Sequence, residues 1–495
     1  MARNLLDLSG SPPGLYIDEA SIGYNAWSVA HFAADEHGVH LPLYFQAFGE
    51  FKNPVYIYAL AGLLRLLPLT PAVERAPAAI LGLVTVLFLT LAAWRLTRSR
   101  AVVLASLVLA GTAPWLTQES RVGFEVIAMV AALSGALWAL AGTRGGHPGR
   151  WFGTAGVFLT VAIFAYTTGR LEVLLYTGAF ALAFAWRGPR PPKWWLTLVP
   201  VLAGYGVLAV WSLANPNALT SRFAALSIAA DGASLPRVAL RFLANYGQYM
   251  SPDFLFVHGD LNPRHNTGFA GMLPWAVAPL LLAGLVVCWR RRAEPMPRFV
   301  ILCLVLGPFA AALTQNGGEP HALRSACMLP FWIALAIYGA AGAADWAGGR
   351  TVRQLVTVGA VVLGLLAQGA LYTRDMFSAY PARSAAAFDT GEEPAAILAH
   401  DAAAGHTVFL SSSLDEPYIE AFFGLRPEPP AQPVAEASAI GLAKLRMRIV
   451  DPQSAAGLAR PGDVLVLASG DEVPASATRI ATEPYGLVMV YRAGG

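Results

Sequence analysis

Near the start of a 495-residue chain, the stretch PPGLYIDEASIGYNAWSVA (residues 12 to 30) sets Asp18 beside Glu19, behind two prolines and a glycine. Further along, Arg121, Arg170 and Arg324 each open an apolar block. An adjacent acidic pair is either a helix N-cap with a first-turn acid or a source of general base for a hydroxyl nucleophile. A cation at a helix N-terminus opposes the macrodipole. One such placement is explained by a side chain snorkelling to the membrane surface, but its recurrence at three block starts points to a bound anion. Base and cations together suit transfer onto a hydroxyl with departure of a phosphate, whose growing charge arginine or lysine stabilises.

The elements that must position these residues are membrane helices. Hydrophobic residues make up 56% of the chain and charged residues 13%, against about a quarter charged in soluble domains. The apolar blocks can each approach the ~20 residues needed to cross ~30 Å of hydrocarbon. Their limits predict helices near 76 to 96, 101 to 116, 122 to 141, 151 to 166, 171 to 186, 194 to 214, 272 to 289, 298 to 314, 325 to 345 and 353 to 372. The predicted fold class is a polytopic α-helical membrane protein with about 10 to 11 transmembrane helices, exoplasmic loop helices and a small C-terminal α/β exoplasmic domain.

Arginine placement sets the expected orientation. Arg95, Arg98 and Arg100, then Arg144 and Arg150, Arg187, Arg190 and Lys193, Arg290 to Arg292 with Arg298, and Arg350 with Arg353 mark one set of loops. The positive-inside rule makes these cytoplasmic. The Asp18-Glu19 segment, TQESR, YTTGR, residues 215 to 271, QNGGEPHALR and everything after about 373 are then exoplasmic. Three units follow: a first exoplasmic loop over 1–75, a helical membrane domain over 76–372, and the exoplasmic domain over 373–495, with strands in HTVFLSSS, DVLVLAS and GLVMVYR. Nothing before Pro12 resembles a signal peptide, so this topology leads to the expectation of a further membrane helix ahead of the PPG segment.

The exoplasmic set collects Asp18, Glu19, Lys52, Glu119, Arg121, Glu125, Arg170, His258, Asp260, Arg264, His265, His321 and Arg324. Its coherent reaction class is glycosyl transfer from a polyprenyl-phosphate sugar. The leaving phosphate needs little acid, while the acceptor hydroxyl needs a base on the opposite face of the sugar, so inversion is expected.

PPGLYIDEASIGYNAWSVA, DEHGVHLPLYFQAFGEFKNPVYIYALAGLL and ERAPAAILGLVTV resemble the first exoplasmic loop and following helix of the GT-C glycosyltransferases of the protein O-mannosyltransferase and aminoarabinose-transferase type. APWLTQESRVGFE, AYTTGRLEVLLY, HGDLNPRHNTGFAGMLPW and PHALRSACMLPFW resemble later segments of that group, so the likeness covers about 10 to 375. The resemblance implies Asp18 as catalytic base with Glu19 as its neighbour, and makes Lys52, Arg121, Arg170, Arg264 and Arg324 candidates for the donor phosphate. Tyr24, Glu125, His258, Asp260, His265 and His321 are candidate substrate contacts. It implies a polyprenyl-phosphate sugar donor, a protein, lipid or polysaccharide acceptor, and residence in the plasma (inner) membrane.

Other functional classes draw on the same residues. A divalent metal could draw on Glu119, Glu125, Asp260 and the histidines, but no HExxH-like spacing supports it, so neither a metal nor a cofactor is predicted. A transporter or flippase for a lipid-linked or anionic solute would carry its charges near the bilayer midplane, whereas here they lie at the outer ends. A non-catalytic assembly subunit of the same fold would tolerate loss of Asp18. Cys288, Cys303 and Cys327 lie in or beside apolar blocks, giving no disulfide framework, and no basic, aromatic-interleaved patch suggests nucleic acid.

Overall fold

The computed structural model describes residues 6–186, 191–346 and 351–494. Arg187, Arg190 and Arg350 of the expected cytoplasmic loops lie outside the described residues.

Between Ile17 and Thr97 the chain forms helix α1 (Ile17–Phe32), a hairpin of β1 (Phe45–Ala47) and β2 (Glu50–Lys52), helix α2 (Pro54–Leu64) and the long α3 (Pro71–Thr97). Proline opens α2 and α3 where its missing N–H costs nothing, and the Thr70 hydroxyl caps α3 by accepting from Val73 N at 3.3 Å. The expected first loop is therefore itself helical, and α3 starts five residues before the sequence boundary at 76. α4 (Arg100–Thr112) and α5 (Pro114–Glu119) replace the single expected helix over 101 to 116. Pro114 disfavours helical geometry at the residue before it, and Ala113 adopts φ −61°, ψ 122°.

The bundle continues through α6 (Val126–Ala141), α7 (Pro148–Ala165), α8 (Gly169–Ala181) and α9 (Leu198–Ala214), then helices Ala278–Arg290, Pro295–Leu306, Leu329–Trp346 and Thr351–Ser378. Among the described residues, five helical stretches are long and apolar enough to cross a membrane: Pro71–Thr97, Val126–Arg144, Trp194–Ala214, Pro295–Ala312 and Ala322–Ala343. Several other apolar helices are shorter. On α9, Leu202, Val210 and Leu213 are two-thirds or more exposed, which suits a face turned to lipid. Close packing elsewhere depends on small residues: a side chain at Gly339 would strike the Leu280 carbonyl, and one at Gly284 the Leu335 carbonyl.

Loops gather into two sets at opposite ends. At one end Arg144 bonds Glu294 at 2.5 Å, Arg298 donates to the Ala183 carbonyl at 3.1 Å, and Arg95 lies over the Trp138 and Trp151 rings at 4.2 and 3.8 Å. At the other end lie the segments around Asp18, Asn53, Glu125, Arg170, Asp260 and His321, tied together as described below. Within each set, the contacts join loops that arginine placement had put in the same group.

The C-terminal unit is a five-stranded mixed sheet, spatial order β4-β3-β5-β7-β6, from β3 (Val408–Ser411), β4 (Met447–Val450), β5 (Val464–Ala468), β6 (Thr478–Thr482) and β7 (Val488–Arg492). β3 pairs parallel with β4 and β5, and β7 runs antiparallel to β5 and β6. The three expected strands are the apolar β3, β5 and β7. The two missed ones, MRIV and TRIAT, are edge strands with polar, exposed residues and so carry little hydrophobic signal. The domain docks on the membrane unit through helix Pro417–Leu425, whose Phe422 ring lies 5.1 Å from that of Tyr24 in α1.

Candidate active site

Asp18 and Glu19 occupy the first turn of α1, where acidic side chains complement the helix dipole. Their surroundings differ sharply. Asp18 retains 31% side-chain exposure and meets Lys52 Nζ at 2.5 Å. Glu19 is fully buried and pairs with Arg75 through Nε–Oε1 at 2.7 Å and Nη2–Oε2 at 2.8 Å. Glu19 also accepts from Gly123 N at 2.8 Å and from Tyr16 N at 3.2 Å. The expectation of a catalytic Glu19 is corrected: no face of its carboxylate is open to a substrate. Arg75 donates further to the carbonyls of Leu8, Pro12 and Gly14, so the pair pins the PPG segment beneath α1. Arg75 was missed in the sequence, although it stands in the ERAP motif at the head of an apolar block.

Lys52 ends β2 and Asn53 precedes α2, so the hairpin register places both. Burial favours the neutral amine of Lys52, yet the carboxylates of Asp18, Glu50 and Glu125 outweigh it and raise its pKa. Glu125 accepts from Asn53 N at 2.5 Å and Asn53 Nδ2 at 2.8 Å. Burial pushes Glu125 up to about 7, against the pull of Lys52 and the Asn53 hydrogen bonds. Asn53 Oδ1 in turn accepts from Arg170 Nη2 at 3.0 Å, and Arg170 lies 4.9 Å over the Tyr44 ring.

Two more cations reach this group. Arg264 stacks at 3.9 Å on the ring of Tyr16, two residues before Asp18. Arg222, not anticipated, pairs with Glu50 at 2.9 Å. Arg324 donates to Thr314 Oγ1 at 3.0 Å and the Gln315 carbonyl at 3.2 Å.

Three other expected contacts lie elsewhere. Arg121 is wholly buried, with Nη2 bonded to the carbonyls of Asp7 at 2.9 Å and Ser11 at 2.6 Å. Its place at the start of an apolar block comes from holding the N-terminal segment, which corrects the expectation that it binds phosphate. Tyr24 is 1% exposed and donates to the Pro427 carbonyl, so it joins the two units and does not face a substrate. His258 is exposed and bonded to Asp253 at 2.6 Å.

Asp260, His265 and His321 form a second cluster. Their ligand atoms lie within 4.8 Å of one another, close enough for one divalent ion. Asp260 Oδ2 is at 2.8 Å from His265 Nδ1 and accepts from Ala322 N at 2.7 Å, so these groups also staple the long loop to the helix after His321. Burial, with His265 beside it, pushes His321 well down, and its Nδ1 is buried without a hydrogen-bond partner. Glu119 is 1% exposed and lies outside the Asp260 cluster.

No family model matches the sequence, and no curated protein matches it. Among solved structures, ArnT from Cupriavidus metallidurans bound to undecaprenyl phosphate superposes with a TM-score of 0.61 at 13% identity, over 99% of this chain and 97% of that one. The apo state of the same protein gives 0.58 at 12% identity over the same shares. The chain has the GT-C fold. At 12–13% identity the likeness extends to the fold and not to individual residues.

Proposed function

We propose that this chain is an inverting glycosyltransferase of the plasma (inner) membrane that moves a sugar from a polyprenyl-phosphate donor to an acceptor hydroxyl on the exoplasmic side. The observation that carries the reading is the half-buried Asp18 carboxylate 2.5 Å from Lys52, with Glu125 and Arg170 linked to the same strand end through Asn53. The neighbour bound to undecaprenyl phosphate supports a lipid-phosphate donor.

In this mechanism Asp18 takes the proton from the acceptor hydroxyl as its oxygen attacks the anomeric carbon. Polyprenyl phosphate leaves from the opposite face of the sugar, which inverts the configuration. Lys52, Arg170, Arg264 and Arg324, with Arg222, meet the charge that grows on the departing phosphate. The bound donor is a phosphodiester with one negative charge, as Asp18 has; as the sugar leaves, the phosphate gains a second charge, which draws Lys52 from Asp18 while Asp18 takes the acceptor proton. Glu19 and Arg121 act as positioning residues, holding the segment that presents Asp18.

The test uses the full chain in liposomes with a panel of polyprenyl-phosphate sugars and envelope extract as acceptor, following release of polyprenyl phosphate with and without chelator. Asp18→Asn is expected to lower the rate by about a hundredfold to ten-thousandfold. Equal release from wild type and Asp18→Asn would remove Asp18 from the mechanism. Loss of release on chelation would instead assign the Asp260, His265 and His321 cluster a catalytic metal.

A further inference from the structure

The C-terminal domain carries a cavity of about 1150 Å³ that shares no residue with the Asp18 group. Its walls come from four separate pieces: the turn before β3, helix Ala437–Lys444, the edge strand β4, and the loop Arg460–Asp463 entering β5. His406, Arg446, Arg448 and Arg460 line it, and Asp463 is the one acid among the lining residues.

The charge pattern is uneven. Residues 373–495 contain 9 Lys and Arg against 15 Asp and Glu, a net of −6. Within this acidic domain, three arginines converge on one concavity. Asp463 accepts from Thr407 N at 3.0 Å and Arg460 N at 2.8 Å and lies 3.9 Å from His406 Nδ1; among the described residues it makes no ion pair with the three guanidinium groups. Arg446 is held in place by donating to the Gly405 carbonyl. Arg448 and Arg460 are exposed, and no hydrogen bond or ion pair engages their guanidinium groups among the described residues.

Charged residues on β4 protect an edge strand from pairing with other chains, which accounts for Arg448 alone. It does not account for Arg460, which arrives from the loop before β5, or for the anchored Arg446. Phe409 is the sole Phe, Tyr or Trp in the lining and is 3% exposed, so a bare sugar ring finds no stacking platform. Guanidinium groups converging from different elements match the oxygens of a phosphate, which several of them can bond at once.

We infer that this cavity is a binding site for a phosphate-bearing anion, separate from the donor phosphate site. The inference stands apart from the proposed glycosyl transfer. Its ligand is either an anionic lipid headgroup or a soluble phosphate ester, and the two sources have different readouts.

Full-length protein in nanodiscs of phosphatidylcholine is titrated with inorganic tripolyphosphate by calorimetry, and hydrogen exchange of the Arg446–Ile449 amides is followed. Wild type is expected to bind, more weakly as salt rises, and Arg446→Gln/Arg448→Gln/Arg460→Gln to bind at least about tenfold more weakly. Slowed exchange of these amides in nanodiscs containing phosphatidylglycerol, absent in the triple variant, would identify a headgroup as the ligand. Unchanged exchange of β5 checks that the domain stays folded. If the triple variant unfolds, the exposed single variants Arg448→Gln and Arg460→Gln are read in its place. Equal tripolyphosphate affinity in wild type and variants, or neither binding nor lipid-dependent protection, would overturn the site. Retained sugar transfer with no anion binding here would sink this inference alone.

Discussion

Replacing Glu19 with Gln leaves the Arg75 guanidinium buried opposite a neutral amide, and removing one partner of a buried pair costs about 3–5 kcal/mol. Glu19→Gln is therefore expected to lower the thermal midpoint in detergent while the protein that remains folded keeps its turnover number. A folded variant with a collapsed turnover number would return Glu19 to the chemistry. Glu125 makes a different prediction. Its ionised form accepts both Asn53 hydrogens and so holds the end of the hairpin that carries Lys52. With Glu125 raised to about 7 by burial, activity is expected to climb as pH rises through that value, and Glu125→Gln should abolish the inflection. A wild-type profile flat between pH 6 and 8 would contradict this. Sequence named Asp18 as the base with Glu19 as its neighbour, but the 31% exposure of one and complete burial of the other depend on side chains far along the chain.

Most residues of helix α1 are buried, and helix Pro417–Leu425 packs against it. Contact is close at Gly23, where an added side chain would collide with the Phe423 ring. Gly23→Val is expected to destabilise the junction by about 1–3 kcal/mol through overpacking, seen as a lower thermal midpoint and faster proteolysis near 417–425. Phe423→Ala in the same chain should recover part of the loss, since it removes the clashing ring. Failure of that rescue would mean that Gly23 is needed for its backbone and not for its lack of a side chain. The helix Leu235–Tyr249 leaves Leu240 and Leu243 exposed on one side, while Asn245 bonds the carbonyls of Ala312 and Thr314.

Across the whole molecule, the sheet domain meets the membrane unit through acidic groups. Burial, with Asp415 close by, pushes Asp389 from 3.8 up to about 7, and burial with Asp389 and Asp415 pushes Glu392 from 4.5 up to about 9. Glu420, Arg264 and Glu19 also face this region, and Glu420 is itself driven well above its ordinary value by burial. An acid with a raised folded pKa keeps its proton in the native state after the unfolded chain has lost it. The contribution of these acids to stability should therefore be full at low pH, fall as pH rises from about 4 toward 9, and level off beyond. Thermal midpoints measured between pH 5 and 9 check this. Asp389→Asn with Glu392→Gln is expected to flatten the slope, and an already flat wild-type profile would refute it.

Membrane character and the grouping of loops that touch one another were legible in the sequence, because hydropathy and charge act over short segments. Strands β3, β5 and β7 were legible for the same reason, being apolar runs between turn signals. The division of labour among the charged residues was settled by tertiary structure alone. Arg75 reaches Glu19 across 56 positions and Arg121 reaches Ser11 across 110. Whether a carboxylate meets solvent or a buried guanidinium, and whether an arginine meets a ligand or a carbonyl, depends on such distant partners, and local spacing carries no record of them.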